Sequence, residues 1–248
     1  MRFLPNHYLF ILLIPGMIAC GQTNEARKIV DQAIGVHGGK LYNQIYLEFD
    51  FRGRHYTARR QNGLFTYTRE FQDSAGLTRD ILTNKEFVRT VNGDTFDLPE
   101  ERANAFTNSV NAVIYFALLP QALNDPAVNL ELIDDVSING KEYHKVKVTF
   151  NKQGGGKDHE DVFIYWFEKD TYRMDYFSYL FFSDGGGIRF RKAFNTRNIN
   201  GIMVSDYKNY ALNDTTFDIT RIDSLYLNDE LELLSEIRLE NLQVTLLE

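Results

Sequence analysis

Cysteine is almost absent from this 248-residue sequence, in which Cys20 is the only example. An intramolecular disulfide is therefore impossible, and the fold must be stabilised by burial of apolar surface and by hydrogen bonds. Internal repeats and long linkers are absent as well. We therefore predict one folded domain over residues 20–248, preceded by an N-terminal segment of different character.

An excess of positive charge is also missing. The chain carries 27 Lys and Arg against 34 Asp and Glu, a formal net charge of −7. No basic stripe is dense enough to predict a nucleic-acid partner. Two small basic clusters on strand-like segments are interpreted as solvated faces. They are Arg52, Arg54, Arg59 and Arg60, and Arg189, Arg191 and Lys192.

Catalytic signatures are lacking. The sequence contains no G-x-S-x-G, H-E-x-x-H or G-x-G-x-x-G motif, and Gly156-Lys157-Asp158 has no following Ser or Thr to hold a phosphate-bound metal. The polar run Asp158-His159-Glu160-Asp161 could bind a divalent cation, but a solvated loop is the favoured interpretation. Asp134-Asp135 is interpreted as a strand-end pair rather than an acid/base dyad. We predict no enzyme activity, no cofactor and no metal site.

The first nineteen residues have the pattern of a signal peptide. Arg2 precedes an apolar run from Tyr8 to Ile14, which is too short to span a membrane. The segment Met17-Ile18-Ala19-Cys20-Gly21 resembles the lipobox of bacterial lipoproteins, although Met17 replaces the usual leucine. The resemblance implies lipidation of Cys20 and anchoring to a membrane; an ordinary secretory signal is the alternative. Because Gly21 is not Asp and no acidic cluster follows, we expect the outer membrane and its periplasmic side.

An amphipathic helix is predicted from Thr23 to His37. Its apolar positions recur at helical spacing, with Thr23 or Asn24 as a candidate N-terminal cap and Gly38-Gly39 as a left-handed stop. His37 is assigned to the helix end rather than to a metal, since no second ligand lies at a useful spacing. The apolar stripe consists of Ala26, Ile29, Val30, Ala33 and Ile34.

Most of the remaining chain alternates short strand-like segments with tight turns such as Asn62-Gly63 and Asn92-Gly93, which predicts antiparallel pairing. The predicted strands are Ile45–Phe51, His55–Arg60, Leu64–Phe71, Thr78–Thr83, Phe87–Val91, Asn129–Ile138, Glu142–Phe150, Ile188–Phe194 and Ile202–Tyr210. A strand-like part is also expected at Ser224–Leu227.

A helical segment interrupts this pattern between Leu98 and Leu123. Pro99 fits its first turn, and Pro120 ends an apolar run over residues 113–119. A helix that is apolar on every side is buried on every side. We therefore predict that this segment lies inside the curve of a sheet.

The most apolar stretch is the hairpin from Asp161 to Phe182, with a turn at 168–171. In its first strand Val162, Ile164 and Trp166 occupy one face, and Phe163, Tyr165 and Phe167 the other. Both faces are too apolar to meet water. Each must be covered by the protein's own helices or by a bound hydrophobic molecule.

The arrangement is similar to the lipoprotein-carrier superfamily of LolA, LolB and LppX-type proteins, and closer still to a family of Bacteroidetes lipoproteins. The likeness rests on His37-Gly38-Gly39, residues 62–67, residues 111–116, Tyr165-Trp166-Phe167 and residues 172–176. It implies a mainly β (α+β) fold, in which a curved antiparallel sheet forms an unclosed β-barrel around an inserted helix. The barrel would be preceded by an N-terminal helix.

Two functions remain open. The helix and sheet could leave a cavity for a lipid or another hydrophobic ligand, or the core could be closed and the protein, a monomer, could dock an envelope partner. For the first, the predicted lining residues are Phe106, Val110, Val113, Ile114, Ala117, Ile164, Trp166, Phe177, Tyr179 and Phe181.

Overall fold

The computed structural model describes residues 16–153, 160–182 and 185–248, with side chains from Asn24 onward. The predicted signal peptide up to Pro15 and the side chain of Cys20 lie outside the described part. So do Asp158 and His159 of the acidic run.

The described residues contain three α-helices: α1 Gly16–His37, α2 Glu100–Ala117 and α3 Ile222–Leu227. Helix α1 buries Ala26, Val30 and Ala33 completely, which confirms the predicted stripe. Gly39 has a φ of 54° and supplies the predicted left-handed stop. The capping prediction was wrong. The helix already includes the residues before Thr23, so the unpaired N–H groups of its first turn lie further towards the N-terminus.

Fourteen strands are formed within the described residues. They are β1 Gln44–Phe51, β2 Arg54–Gln61, β3 Leu64–Asp73, β4 Gly76–Thr83, β5 Phe87–Val91, β6 Asp94–Thr95, β7 Val128–Ile138, β8 Lys141–Phe150, β9 Val162–Glu168, β10 Met174–Phe181, β11 Gly187–Ile199, β12 Ile202–Leu212, β13 Glu232–Ile237 and β14 Glu240–Leu246. The predicted strand ends are met within two residues except in β11. That strand continues past Phe194 through a bulge before Arg197.

The strands form two antiparallel, seven-stranded sheets that do not close into a barrel. Sheet 1 has the order β14-β1-β2-β3-β4-β5-β6, and sheet 2 has the order β13-β12-β11-β10-β9-β8-β7. Strand β13 pairs with β12 and β14 pairs with β1, so the short connection Arg238-Leu239 joins the sheets. We call this connection the strand junction. Helix α2 connects the other two sheet edges, β6 and β7. The fold class predicted from the sequence is confirmed.

The predicted strand at Ser224–Leu227 is wrong, because these residues belong to helix α3. The helix lies on the face of sheet 2 that points away from α1 and α2, which we call the outer face; the opposite face is the inner face. Ile222 and Tyr226, one turn apart, contact the sheet there. Asp223 accepts hydrogen bonds from Lys145 Nζ at 2.8 Å and Trp166 Nε1 at 3.3 Å. These tertiary contacts favour a helix over the local strand pattern.

Three hydrophobic clusters fill the molecule. The first lies between α1, the end of α2 and the inner face of sheet 2, and includes Tyr165 and Phe177. The second lies between α2 and sheet 1. The third, with Trp166, lies between the outer face of sheet 2 and α3. Within the described ranges, no helix is long and apolar enough to cross a membrane.

Candidate functional site

Helix α2 lies between the two sheets. Val110 and Ile114, one turn apart, are fully buried against sheet 1, while Tyr115 and Phe116 on another face pack against sheet 2. The prediction that this apolar segment is buried inside the curve of the sheets is confirmed.

A buried ion cluster holds the N-terminal half of α2 on sheet 1. Asp80, which is 0% exposed, accepts hydrogen bonds from Arg69 Nε at 2.8 Å and Arg89 Nε at 2.6 Å. Arg69 Nη1 also donates to Ser109 Oγ at 2.8 Å, and the Arg89 guanidinium lies 3.6 Å from the centre of the Phe106 ring. The register of α2 on sheet 1 is therefore set by directional contacts.

Aromatic rings fill the space between the C-terminal half of α2 and sheet 2. The Phe116 ring stacks on Phe177 with the ring centres 5.7 Å apart. The hydroxyl groups of Tyr115 and Tyr165 are 3.5 Å apart. Burial raises the pKa of Tyr115 to about 12 and that of Tyr165 well above its ordinary value. At neutral pH both phenols are therefore uncharged.

A pocket of about 290 Å³ remains between α2 and the strand junction. Ligand pockets span roughly 300–1,000 Å³, so this one suits a small molecule or a single apolar chain rather than a lipid with two chains. Its apolar wall is formed by Phe51, Ala112, Val113, Phe116, Ile237 and Leu239.

Arg191 on β11 also lines this pocket, and it is only 8% exposed. Its guanidinium carbon lies 4.4 Å from the centre of the Phe116 ring, and Nη2 donates to the hydroxyl of Tyr179 at 3.0 Å. Its Nε atom is buried with no hydrogen-bond partner among the described residues. Burial lowers the pKa of Arg191, but a guanidinium still stays protonated at neutral pH.

The pocket has a positive lining although the whole chain is acidic. Arg52, exposed in the β1–β2 turn, contributes a second cation. The side chains that the structure describes around the pocket include no Asp or Glu. Asn209 also faces it, and its Oδ1 atom is buried without a hydrogen-bond partner among the residues that the structure describes.

Two larger depressions on the molecule differ from this pocket because each has a carboxylate in its described lining, Asp175 in one and Asp125 in the other. In one, of about 510 Å³, Lys141 and Arg173 share Asp175. In the other, of about 550 Å³, Arg60 donates to Tyr67 and Gln121. No group of three His, Cys, Asp or Glu side chains that could hold a metal occurs in the part of the chain that the structure describes.

Residues 6–241 match the sequence profile of a family of unknown function, DUF6503. The chain belongs to this family. No curated protein matches the sequence.

Solved structures similar to this chain include a LolA superfamily protein from Nitrosomonas europaea, with 10% identity, coverage of 90% of this chain and 93% of that chain, and a TM-score of 0.46. A DUF1329 family protein from Desulfovibrio piger has 12% identity, coverage of 88% and 92%, and a TM-score of 0.39. The lipoprotein LppX from Mycobacterium tuberculosis has 14% identity, coverage of 68% and 91%, and a TM-score of 0.30. The LolA and LppX types named from the sequence are thus found again among solved structures.

The structure divides the residues predicted to line a ligand site. Val113 and Ala117 line the pocket beside α2. Ile164 and Trp166 lie on the opposite face of sheet 2, under α3, and are not part of it. The others pack around α2 without lining the pocket: Phe106, Val110 and Ile114 against sheet 1, and Phe177, Tyr179 and Phe181 on the inner face of sheet 2.

The interpretation of Arg191 as part of a solvated face was wrong, and its place in the pocket was missed. On β11, Ile188 and Phe190 point to the outer face of sheet 2, so Arg189 and Arg191 point to the inner face. The alternation in sequence could have placed Arg191 opposite Phe190. Both faces of β11 are covered because α2 and α3, from distant parts of the chain, pack on them.

Proposed function

We propose that this protein is a lipid-anchored protein of the bacterial envelope that binds a hydrophobic molecule in the pocket beside α2 and catalyses no reaction on it. The observation that supports this best is the pocket itself. Apolar side chains from α2 and from the strand junction surround it, and it leaves about 290 Å³ of space.

The aromatic hairpin does not support ligand binding, although both of its faces are apolar. Tyr165 and Phe167 are covered by α1 and α2, and Trp166 is covered by α3. The protein's own helices therefore satisfy both faces. The pocket lies elsewhere, so the argument for a ligand rests on the residues beside Phe116. Each methylene buried there would contribute about 0.8 kcal/mol.

Attachment to a membrane would come from Cys20, which stands at the lipobox-like end of the signal sequence. Several acyl chains on one residue anchor a protein stably, whereas one chain binds only marginally. Gly21 in place of Asp supports the outer membrane, and the absence of an acidic cluster after Cys20 supports the periplasmic side. The protein would act there as a monomer.

Binding is tested by titrating the mature chain with a fluorescent long-chain probe and displacing it with dodecanol. Ala112→Trp places a large ring at the pocket wall and should weaken binding by about tenfold or more, since loss of a few buried methylenes has that effect. Ala105→Trp is the matched control. It lies two turns earlier on the same helix, is exposed and does not line the pocket.

Equal binding by both variants would contradict the proposed site. If wild-type protein binds no probe, and solvent extraction of the purified chain yields no lipid, ligand binding itself is refuted. The alternative function, a closed core with a docking surface for an envelope partner, would then be tested by capture of one stoichiometric partner. The stacking of Phe116 on Phe177 favours that alternative, because it closes part of the space between α2 and sheet 2.

A further inference from the structure

Arg191 is a buried cation without a carboxylate. In the described part of the chain it forms no ion pair, and the groups that act electrostatically on it are Tyr179, Tyr207 and Arg52. A buried charge is costly unless it is paired. Contacts with the rings of Phe116 and Tyr179 offset part of this cost. They do not supply an acceptor for Nε.

Other buried cations of this protein are neutralised in place. Arg69, 3% exposed, pairs with Asp80 at 2.6 Å, and Lys145, 4% exposed, pairs with Asp223 at 2.8 Å. Arg191 is buried to a similar degree but faces a space instead of a carboxylate. The chain therefore provides counter-charges where a cation only stabilises the fold. Beside the pocket, the described residues provide no counter-charge for Arg191.

We propose that the pocket takes an amphiphile with a single apolar chain and an anionic oxygen group, and that this group pairs with Arg191. The proposal rests on the proposed function and adds the chemical class of the ligand. Phe116, Val113 and Leu239 would contact the chain, and a carboxylate or phosphate oxygen would meet the guanidinium. Arg52 at the exposed turn attracts the same charge, and the described part of the lining has no acidic side chain that would repel it.

The test compares two probes with the same chain, dodecanoate and dodecanol, on the wild-type protein and on Arg191→Met. Wild-type protein should prefer dodecanoate by about tenfold or more, as expected for a hydrogen bond to a charged group. Arg191→Met should lose this preference while it still binds dodecanol. Arg191→Lys, which keeps the charge, should retain part of it.

Arg189→Met is the matched control. Arg189 lies two residues away on the same face of β11, but it contacts Phe181 and does not line the pocket. Its loss should leave the preference unchanged. Dodecyl phosphate in a further titration distinguishes a phosphate ligand from a carboxylate ligand.

Three results would overturn the inference. Wild-type protein could bind dodecanol as well as dodecanoate, Arg191→Met could keep the preference, or Arg189→Met could lose it to the same extent. In each of these cases the binding of a hydrophobic chain would stand and only the anionic group would be refuted. Failure of all probes to bind wild-type protein would refute the proposed function instead. If Arg191→Met does not fold, the other two variants still test the inference. The preference for dodecanoate should be smaller in Arg191→Lys than in the wild-type protein, and it should be unchanged in Arg189→Met.

Discussion

Tyr165 and Trp166 are adjacent in the chain and both fully buried, yet they lie in different hydrophobic clusters on opposite faces of strand β9. Tyr165 contacts the side on which α2 and the pocket lie. Trp166 contacts α3 and donates a hydrogen bond to Asp223. The inner face of sheet 2 is therefore near the candidate ligand site, and the outer face under α3 is separated from it by the sheet.

This separation predicts the outcome of a quenching experiment. Trp166 is the only tryptophan of the chain, and bromine quenches indole fluorescence at short range. Dodecanoate carrying a terminal bromine should therefore leave the emission of Trp166 nearly unchanged when it binds. In Phe51→Trp, the added indole lines the pocket and should be quenched. Strong quenching of the wild-type protein would place the ligand on the α3 side.

Asp80 is predicted to be the most sensitive charged position beneath α2. Asp80→Asn removes the carboxylate shared by Arg69 and Arg89 and should lower the free energy of unfolding by about 3–5 kcal/mol, because buried cations lose their partner. Denaturant unfolding at constant pH measures this. Glu70→Gln is the control, since its pair with Arg79 is largely exposed and contributes only about 0–1 kcal/mol. Similar losses for the two variants would contradict the role of the cluster.

His37 should make the protein less stable in acid. Its Nδ1 donates to the carbonyl of Ala33 at 2.8 Å and Nε2 accepts from the amide of Met174 at 3.4 Å, so the buried ring is neutral. Burial lowers the pKa of His37 from 6.5 to about 4. Between these values the unfolded chain binds a proton that the folded chain does not. The free energy of unfolding therefore falls as the pH falls, by roughly 3 kcal/mol over the whole window.

Chemical denaturation at pH values across this window measures that slope. His37→Gln should be less stable at neutral pH and should show a shallower loss towards acid. An identical pH dependence in the variant and the wild-type protein would show that other groups cause the effect. Titration of the His37 ring by NMR provides a direct check.

Cys20→Ala should release the protein from membranes. Without the cysteine no acyl chain can be attached, and no other anchor is predicted from the sequence. Fractionation of cells that produce the variant measures this, and Met17→Leu, which restores the usual lipobox residue, should remain in the membrane fraction. A Cys20→Ala variant that still sediments with membranes would refute the anchor.

Local pattern in the sequence was enough to determine most elements of this protein. Alternation and tight turns placed the strands up to β12 except β6, helical spacing placed Ala26 and Val30 on the buried side of α1, and both faces of β9 were correctly predicted to need cover. These features depend on neighbours a few residues apart, because strands and helices have short periods.

Only the tertiary structure decided what covers each face. Residues 224–227 belong to helix α3, whose Tyr226 stacks on Phe190 and whose Asp223 pairs with Lys145 of sheet 2. Strand β14 follows β13 in the chain but pairs with β1 of the other sheet. Arg191 became a pocket residue because α2 and the strand junction close over it. Each of these contacts joins segments that are distant in the chain, and no local period in the sequence records such a pairing.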